Sequence, residues 1–489
     1  MIRRTISALL AVAALVLAAA PVPAAAANDT IAAFRVVASP FTSDNVSTRH
    51  AAGIRLSLAR GARVKLTIEL PGGAVVRHLA GGTKLSARGY RWSWAGRDDG
   101  GNFVPDGGYV AHVIVRNRLG TDSRSLPLRK GMPPIYAANP GAITVLINPG
   151  HGGSRTGAVS DGVVESLVNL DIGLRLRRLL EAAGVTVVMT RTTDVHVPDP
   201  EYDVNGDGVI GPTEPGGDDW DGLAYRLDIG NQAGADVHIF NHNNAAGCKC
   251  RRGTETYTGM ERDWTPEGVA LATFVQAAQI SQLDSFRSAT YWPLDFGVKN
   301  GARYYTLSPY SPVDSPLEPR PALMPTLLTE SLFVNHPVER ELLRRGQVRE
   351  ALAIAMYLGI GDYLATRDYG IRYELLDAPA GVSIGGSAEY SIRITNTGNL
   401  TSVGWQLYLG SVPAVPYYDG SGAVGDPLGS AAIPDGLTPG ASADVVVHGI
   451  APGTAADWLV KADVFIGGAD RPYLSERGVV PLQVPLTTT

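Results

Sequence analysis

The chain has 489 residues, of which 42 are basic and 47 acidic, so its formal net charge is −5. Apolar residues make up 45% of the sequence, and a chain of this length predicts about two to four domains with cores of their own. The mild acidity argues against a nucleic-acid-binding protein, which usually has a strongly basic stripe or domain. Two cysteines are too few for a disulfide-based scaffold.

The first 27 residues have the pattern of a secretory signal peptide. Arg3 and Arg4 form a positive start, residues 6–20 are apolar, and residues 24–27 are small, as at a cleavage site. The apolar stretch is short for a membrane span, and no later segment reaches about 18 uninterrupted apolar residues. We therefore expect a protein that is secreted or held in the cell envelope, with no membrane span. The alternative is a buried N-terminal helix.

Short alternating segments predict a β-sandwich over residues 28–128. Ile54–Leu58, Val64–Ile68 and Tyr109–Val115 alternate between apolar and polar residues, and glycine-rich turns separate them. A linker that contains proline and glycine, residues 129–141, follows.

Part of this first region resembles a known β fold. Residues Trp92 to Tyr109 read WSWAGRDDGGNFVPDGGY and are similar to the Ig-like domain of the flagellar hook-capping protein family. The resemblance implies a fold and says little about function. Any other all-β spacer is the alternative.

Residues 142–367 change to strands that alternate with long amphipathic helices. This pattern predicts an α/β domain, a sheet with helices on both faces. The predicted strands are Thr144–Ile147, Val185–Met189, Val237–Phe240 and Thr326–Thr329. The predicted helices are one with Leu167, Leu170, Leu174 and Leu179 on its apolar face, one from Thr265 toward Phe286, and one from Glu339 to Thr366.

Residues 370–489 return to a strand pattern and predict a second β-sandwich. Glu389–Ile394, Ala443–Val447 and Leu459–Val464 alternate between apolar and polar residues. This region is similar to the accessory Ig-like modules of secreted enzymes that act on cell walls and carbohydrates.

Two histidines and two glutamates lie where α/β sheets bind ligands, near the carboxyl ends of strands. His151 lies between glycines after the first strand, and His242 follows the third. Glu165 opens the first helix, where it either caps the helix or points back to His151. Two imidazoles and one carboxylate, with a fourth position left for water, make a catalytic zinc set, although each histidine alone is more often an ordinary loop residue. Glu330 leaves the fourth strand and beside such a set would transfer a proton.

These residues resemble the zinc-dependent N-acetylmuramoyl-L-alanine amidases of the amidase-3 class. The resemblance covers residues 143–366 and rests on the GHGG of residues 150–153, the HNNA of 242–245 and the TES of 329–331. It implies that His151, Glu165 and His242 ligate zinc and that Glu330 is the catalytic acid and base. The substrate that it implies is peptidoglycan, cut between the muramic acid lactyl group and the L-alanine of the stem peptide.

Three features depart from the family pattern. Asn148 stands where an aspartate is common, Phe240 stands where a serine is usual, and a large insertion separates Arg191 from Arg226. Two other functions also remain open. One is a wall-binding module that keeps the amidase fold without catalysis, and the other is a zinc hydrolase of a different amide. The sequence does not determine the oligomeric state.

An acidic insertion at residues 194–221 holds nine acidic residues and no lysine or arginine. Within it, residues 203–214 match the twelve-residue calcium loop. The predicted ligands are the side chains of Asp203, Asn205, Asp207 and Glu214 and the backbone carbonyl of Val209. A solvated acidic turn is the alternative. Without the signal peptide and this insertion, the charge is +2, so the overall charge indicates a Ca²⁺ site and no charged partner.

Cys248 and Cys250 are separated by one residue and follow His242 closely. In an exported protein they form a short-range disulfide, remain free thiols, or hold a second metal. The sequence leaves these three alternatives open.

Overall fold

The computed structural model describes residues 30–42, 50–136, 138–197, 220–262, 264–307, 322–414, 425–467 and 471–489. The predicted signal peptide, residues 1–27, and the predicted calcium loop, residues 203–214, lie outside these ranges. None of the helices in the described ranges combines the length and the apolar character that a membrane crossing needs.

The first β region consists of antiparallel strands whose residues alternate between buried and exposed, as in β2. Its described strands are β1 (Ile31–Val37), β2 (Ala52–Leu58), β3 (Ala62–Glu69), β4 (Val75–Leu85), β5 (Gly89–Trp94), β6 (Gly107–Asn117) and β7 (Gly120–Lys130). They form two sheets, ordered β1-β2-β5 and β4-β3-β6-β7. Buried side chains of both sheets, Trp94 and Tyr109 among them, share one apolar core.

The central region is built on a mixed sheet. Its described strands are β8 (Thr144–Pro149), β9 (Val159–Ser160), β10 (Val163–Val164), β11 (Thr186–Met189), β12 (Val237–Asn244), β13 (Thr254–Thr258), β14 (Asp295–Asn300) and β15 (Thr326–Phe333). Its helices are α1 (Glu165–Ala182), α2 (Trp220–Gln232), α3 (Thr265–Asp284), α4 (Pro337–Leu343) and α5 (Gly346–Thr366). The sheet order is β11-β8-β12-β15-β13-β14, and β9 pairs with β10 outside it. Strands β11, β8, β12 and β15 are parallel, whereas β13 runs antiparallel to β15.

Both faces of this sheet are covered. Val145 and Ile147 of β8 belong to a core that includes α1, α3 and α5. Leu146, between them, points to the opposite face and belongs to a core with Leu227 of α2. Successive strand residues alternate in direction, so a nearly continuous apolar strand serves two cores. The observed sheet agrees with the predicted α/β class.

The predicted apolar face of the first helix is wrong in part. Leu167 and Leu174 are 48% and 37% exposed, although both were predicted to be buried. The helix packs instead through Val168, Ile172, Leu176, Leu179 and Leu180. Apolar residues occur on more than one side of α1, and only packing against the sheet selects the face that is buried.

Three further elements differ from the prediction. The single helix expected at residues 339–366 is two helices, because Arg345 has an extended backbone and ends the first. Strands β13 and β14 are polar, with sequences TETYT and DFGVKN, and lack the apolar run expected of a buried strand. The prediction also lacks helix α2, at the end of the acidic insertion, although its Leu223, Ala224 and Leu227 recur at helical spacing.

The last β region contains the described strands β16 (Ile371–Asp377), β17 (Gly381–Val382), β18 (Ser387–Asn396), β19 (Gln406–Pro413), β20 (Asp426–Ala432), β21 (Ser442–Ile450), β22 (Ala456–Phe465) and β23 (Leu482–Thr488). They form two sheets, β16-β18-β21 and β17-β23-β22-β19-β20, around a core with Tyr390 and Trp405. The prediction of β-rich regions on both sides of the α/β region is confirmed. Their assignment to Ig-like families stays a prediction.

Buried contacts join the last β region to the central one. The predicted linker before the central region, residues 129–141, packs against that region as well, because Ile135 and Tyr136 are buried in its core. Arg367, which follows α5, forms an ion pair of 2.7 Å with Asp236, and both side chains are buried. The same guanidinium donates a hydrogen bond of 2.8 Å to the hydroxyl of Thr397. This charge pair therefore fixes the start of the last β region against the sheet.

We expect Arg367→Met to destabilise the protein by about 3–5 kcal/mol, because the variant leaves the Asp236 carboxylate buried without its cation. Urea unfolding followed by circular dichroism measures the effect. Arg393→Met is the matched control, since Arg393 forms a 2.7 Å ion pair with Asp444 at the surface, and it should leave the unfolding midpoint unchanged. Equal midpoints for both variants would contradict the role given to the buried pair.

Candidate metal centre and neighbouring carboxylates

The structure brings His151, Glu165 and His242 together at the carboxyl end of the sheet. One potential ligand atom of each lies within 4.8 Å of those of the other two. Oε1 of Glu165 is 3.2 Å from Nε2 of His151 and 3.1 Å from Nδ1 of His242. Ligands at about 2.0 Å from a tetrahedral zinc ion are separated by about 3.3 Å. The two measured separations fit that geometry.

The carboxylate of Glu165 is buried and strongly compensated. Burial raises its pKa, but hydrogen bonds to His151 and His242 outweigh burial and hold the pKa well below its usual range. The backbone N–H of Ala158 donates to Oε2 at 2.9 Å, and that of Asn243 donates to Oε1 at 3.3 Å. The side chain of Glu165 does not cap α1. Of the two predicted alternatives, the carboxylate therefore points back to the histidines.

His151 is held in an unusual backbone conformation. Its φ angle is +61°, a left-handed value that costs free energy in a residue other than glycine. Arg226 donates to the carbonyl of His151 at 3.0 Å, and Arg191 donates to the carbonyls of Pro149 and Gly150 at 3.0 and 2.9 Å. These two buried guanidinium groups hold the loop that carries the histidine.

Two glycines allow the cluster to close. A Cβ atom at Gly150 would collide with the ring of His242. A Cβ atom at Gly157, which has φ +65°, would collide with His151 and Glu165. The glycines around the histidine therefore provide space for the metal-binding side chains.

The departures at Asn148 and Phe240 have physical explanations. The Asn148 Oδ1 accepts hydrogen bonds from Arg226 at 2.6 Å and Thr190 at 3.0 Å, and its Nδ2 lies 3.3 Å from Nε2 of His238. Burial, together with the charge of Arg226, lowers the pKa of His238 well below its usual value. An amide can donate to this neutral imidazole and an aspartate could not. Phe240 packs on the ring of His238 with centroids 4.2 Å apart.

Glu330 lies beside the cluster because of strand register. It is opposite His242 in the parallel pair β12–β15 and opposite Glu255 in the antiparallel pair β15–β13. Residues opposite each other point to the same face, so the three side chains form a row across the sheet. Burial raises the pKa of Glu330 well above its usual value, and the charges of Glu165 and Glu255 raise it further. Its buried Oε2 has no hydrogen-bond partner within the described ranges.

Glu255 is a buried carboxylate beside the candidate site that sequence reasoning missed. It is buried, accepts a hydrogen bond of 2.6 Å from Asn244 and one of 3.0 Å from the Tyr257 hydroxyl, and forms an ion pair with Lys299. These partners hold the Glu255 carboxylate in place one strand away from Glu330. The sequence shows only a glutamate in a polar segment, and the pairing of β13 with β15 shows what that glutamate faces.

The structure also places two further histidines and the two cysteines. His238 is a buried strand residue, and His336 accepts a hydrogen bond at the start of α4. Cys248 and Cys250 are joined by a disulfide. The five predicted calcium ligands, Asp203, Asn205, Asp207, Val209 and Glu214, lie outside the described residues.

Comparison with known proteins gives a family match for the central region. Residues 145–362 match the family Amidase_3, described as N-acetylmuramoyl-L-alanine amidase. We call the residues that match this family, 145–362, the amidase domain. The domain is 26% identical over 224 residues to N-acetylmuramoyl-L-alanine amidase LytC of Bacillus subtilis (strain 168), which covers 45% of this chain and 35% of that protein. It is 28% identical over 217 residues to CwlM of Bacillus licheniformis, an N-acetylmuramoyl-L-alanine amidase. That match covers 43% of this chain and 64% of CwlM.

A solved structure, N-acetylmuramoyl-L-alanine amidase AmiC2 of Nostoc punctiforme, is 26% identical, with a TM-score of 0.33, and the match covers 46% of this chain and 98% of that one. The chain thus spans only part of the curated relatives named above, 35% and 64% of their lengths. The two β regions lie outside the matched residues 145–362.

Glu339 of α4 ties together two strands of the amidase domain. Its carboxyl group accepts hydrogen bonds from the backbone N–H of Phe333 at 2.8 Å and of Gly253 at 3.0 Å. Burial raises its pKa to about 7, although these hydrogen bonds and the charge of Arg252 lower it. Glu339 therefore keeps its proton in the folded protein at pH values where the unfolded chain has lost it.

Because the folded state binds this proton more tightly, the stability that it contributes is lost as the pH rises from about 4.5 to 7. Glu339→Gln cannot titrate, so its stability relative to the wild type should improve across that window, by at most about 3 kcal/mol. Urea unfolding at pH 4.5, 5.5 and 7 measures the difference. Glu341→Gln, at an exposed position of the same helix, is the control. A constant difference between Glu339→Gln and the wild type would contradict the prediction.

Proposed function

We propose that the protein is an exported zinc-dependent amidase that hydrolyses the amide between N-acetylmuramic acid and L-alanine in peptidoglycan. The observation that carries the proposal is the convergence of His151, Glu165 and His242 next to the buried, unpaired carboxyl oxygen of Glu330. The family match and the amidase relatives support the reaction and the substrate.

Zinc fits the residues present. One carboxylate and two imidazoles are the ligand types of catalytic zinc sites and leave a fourth position open. The pKa of His242 is lowered by burial, which favours the neutral imidazole that a metal requires. A zinc ion held by His151, Glu165 and His242 would polarise the amide carbonyl and make a water molecule more acidic.

Glu330 would handle the proton in this reaction. Its raised pKa, caused first by burial, makes it a stronger base than an exposed glutamate. Its Oε2 atom would accept the proton from the attacking water and return it to the leaving amine nitrogen of L-alanine. Glu255, which lies beside Glu330 and forms an ion pair with Lys299, would strengthen the affinity of Glu330 for that proton.

The domain organisation belongs to the same proposal. Residues 1–27 would direct export, residues 142–367 would be the catalytic domain, and residues 28–128 and 370–489 would be Ig-like domains that position it on the wall. The segment 129–141 would connect the first Ig-like domain to the catalytic one.

The test is incubation of the protein with purified peptidoglycan and zinc, followed by mass spectrometry of the released peptides. We expect stem peptides with a free N-terminal L-alanine. Glu330→Gln should lower their rate of release by at least about 100-fold, because it removes the proton carrier, while atomic absorption finds the zinc content unchanged. Glu341→Gln, an exposed change outside the site, should keep full activity.

The two alternatives predict different results. A binding module would sediment with the wall and release no peptide, and Glu330→Gln would change nothing. A hydrolase of another amide would release fragments without a new N-terminal L-alanine. Either result would contradict the proposed function.

We also propose that residues 203–214 bind Ca²⁺ through Asp203, Asn205, Asp207, Val209 and Glu214. The proposal rests on the sequence pattern of the loop. Calorimetry on metal-stripped protein should give a dissociation constant of about 10⁻⁴–10⁻³ M, as in extracellular calcium modules. Glu214→Gln should weaken binding, because it removes the carboxylate of position 12. Absence of heat at millimolar Ca²⁺ would refute the site.

A further inference from the structure

The first β region carries a large positive charge that the whole-chain charge conceals. Residues 30–130 contain 16 lysines and arginines and only 6 aspartates and glutamates, a net charge of +10. The expectation of a nearly neutral chain with one acidic insertion is therefore incomplete. The net charge is small because a basic region is combined with acidic residues elsewhere.

Three cations of this region form a row across one sheet. Arg63 of β3 is directly opposite Lys84 of β4 and directly opposite Arg116 of β6. All three side chains point to the solvent-facing side, where Arg63 and Arg116 are exposed. Like charges directly opposite each other destabilise a sheet. No ion pair compensates these three side chains within the described ranges. The row therefore opposes the stability of the fold.

The other sheet carries a second row of the same kind. Arg55 of β2 is directly opposite Arg35 of β1 and Arg91 of β5. Burial lowers the pKa of Arg55, and the charges of Arg91 and Arg35 lower it further, which is the electrostatic sign of crowded cations. One carboxylate, that of Asp284, reaches Arg35 at 3.5 Å.

The cations are concentrated at one end of the region, which we call the basic end and define by Arg60, Arg63, Lys84, Arg116 and Arg118. The strands are antiparallel, so the turns β2–β3, β4–β5 and β6–β7 all lie at this end. These five side chains line one open cavity of about 1090 Å³, and no carboxylate among the described residues lines it.

The acidic residues of the region lie mostly at its other end. Glu69, Asp98, Asp99 and Asp106 follow or precede the opposite turns, and Asp106 is paired there with Lys130. Asp122, near the basic end, is already paired with Arg124 at 2.5 Å. Ala38 and Ser39, which contact α3 of the amidase domain, also lie beyond the far end of β1. The basic end thus points away from that contact.

We propose that the basic end binds a linear anionic polymer of the cell wall, with phosphodiester-linked repeats. The proposal rests on the proposed function for one point, that the protein is exported to the wall. Neighbouring strands are about 4.8 Å apart, so the row Lys84, Arg63, Arg116 offers cations at intervals that an extended polyanion can follow. Such a ligand would neutralise the repulsion that the fold leaves uncompensated.

Residue type and shape favour this ligand over the others. Four of the five cations are arginines, whose planar guanidinium pairs with phosphate in two hydrogen bonds. The cavity is concave, which suits a chain and not the flat surface of a bilayer. Stem-peptide carboxylates of the wall are the competing anions, and the test separates them from phosphodiesters.

The experiment is co-sedimentation of the full chain with purified cell walls, before and after mild hydrofluoric acid, which cleaves phosphodiesters and leaves peptidoglycan. The variant is R63Q/K84Q/R116Q. The matched control is R77Q/R97Q, two cations at the opposite end. We expect the variant to bind untreated walls at least tenfold more weakly than the wild type or the control at about 0.1 M salt. The slope of log K against the logarithm of the salt concentration, where K is the binding constant for the wall, should be shallower for the variant by about 2–3. The reason is that three phosphate contacts are lost.

Several results would overturn the proposal. These are equal binding of variant and wild type, equal binding of the wild type to treated and untreated walls, or preferential binding to vesicles that contain anionic lipid. The melting temperature of the variant should equal or exceed that of the wild type, because neutralisation removes repulsion; a lower value would assign the row to folding.

The proposal and the proposed function fail separately. Release of L-alanine-terminated peptides from soluble muramyl-peptide fragments measures the amidase without any polymer. The wild type and R63Q/K84Q/R116Q should release them at equal rates. Absence of release from both would refute the amidase and leave the binding result intact, whereas equal wall binding with normal release would refute only the polymer site.

Discussion

The carboxylate of Glu165 is the group on which the geometry of the site depends. It is buried, and a buried charge costs free energy unless other groups compensate it. The compensation comes from His151 after β8, from His242 in β12 and from the backbone of residues 158 and 243. Three segments that are distant in the sequence must therefore meet at the start of α1. A metal ion bound there would take over the contacts that the carboxylate now makes with the imidazoles.

The surroundings of the site hold these groups in place by two different means. Arg191 and Arg226 hold the His151 loop through backbone carbonyls, which keeps a left-handed residue where it is needed. The register of β12, β15 and β13 places Glu330 between His242 and Glu255. A glutamate between two other charged or polar groups on a buried face has a raised pKa, and such a group is suited to carry a proton.

Charge is distributed unevenly between the first β region and the central region. The first β region is strongly basic, whereas residues 194–221 are strongly acidic. Within the basic region, cations lie in register across two sheets, an arrangement that folding alone does not favour. The last β region, in contrast, is fixed to the amidase domain by the buried pair of Arg367 and Asp236. The two β regions therefore differ in their physical character, although both consist of antiparallel sheets.

The sequence by itself determined the order of the regions, most elements of the α/β region and the four residues of the candidate site. It did so because those features are local: strand and helix periods, glycines beside a histidine, and acidic or basic residues at the ends of apolar runs. Only the tertiary structure decided which face of α1 is buried, that polar β13 joins the sheet, and that Glu255 lies beside Glu330. It also decided that Lys84, Arg63 and Arg116 share one row. These relations depend on strand register between residues far apart in the chain, and neither a period nor a composition contains that register.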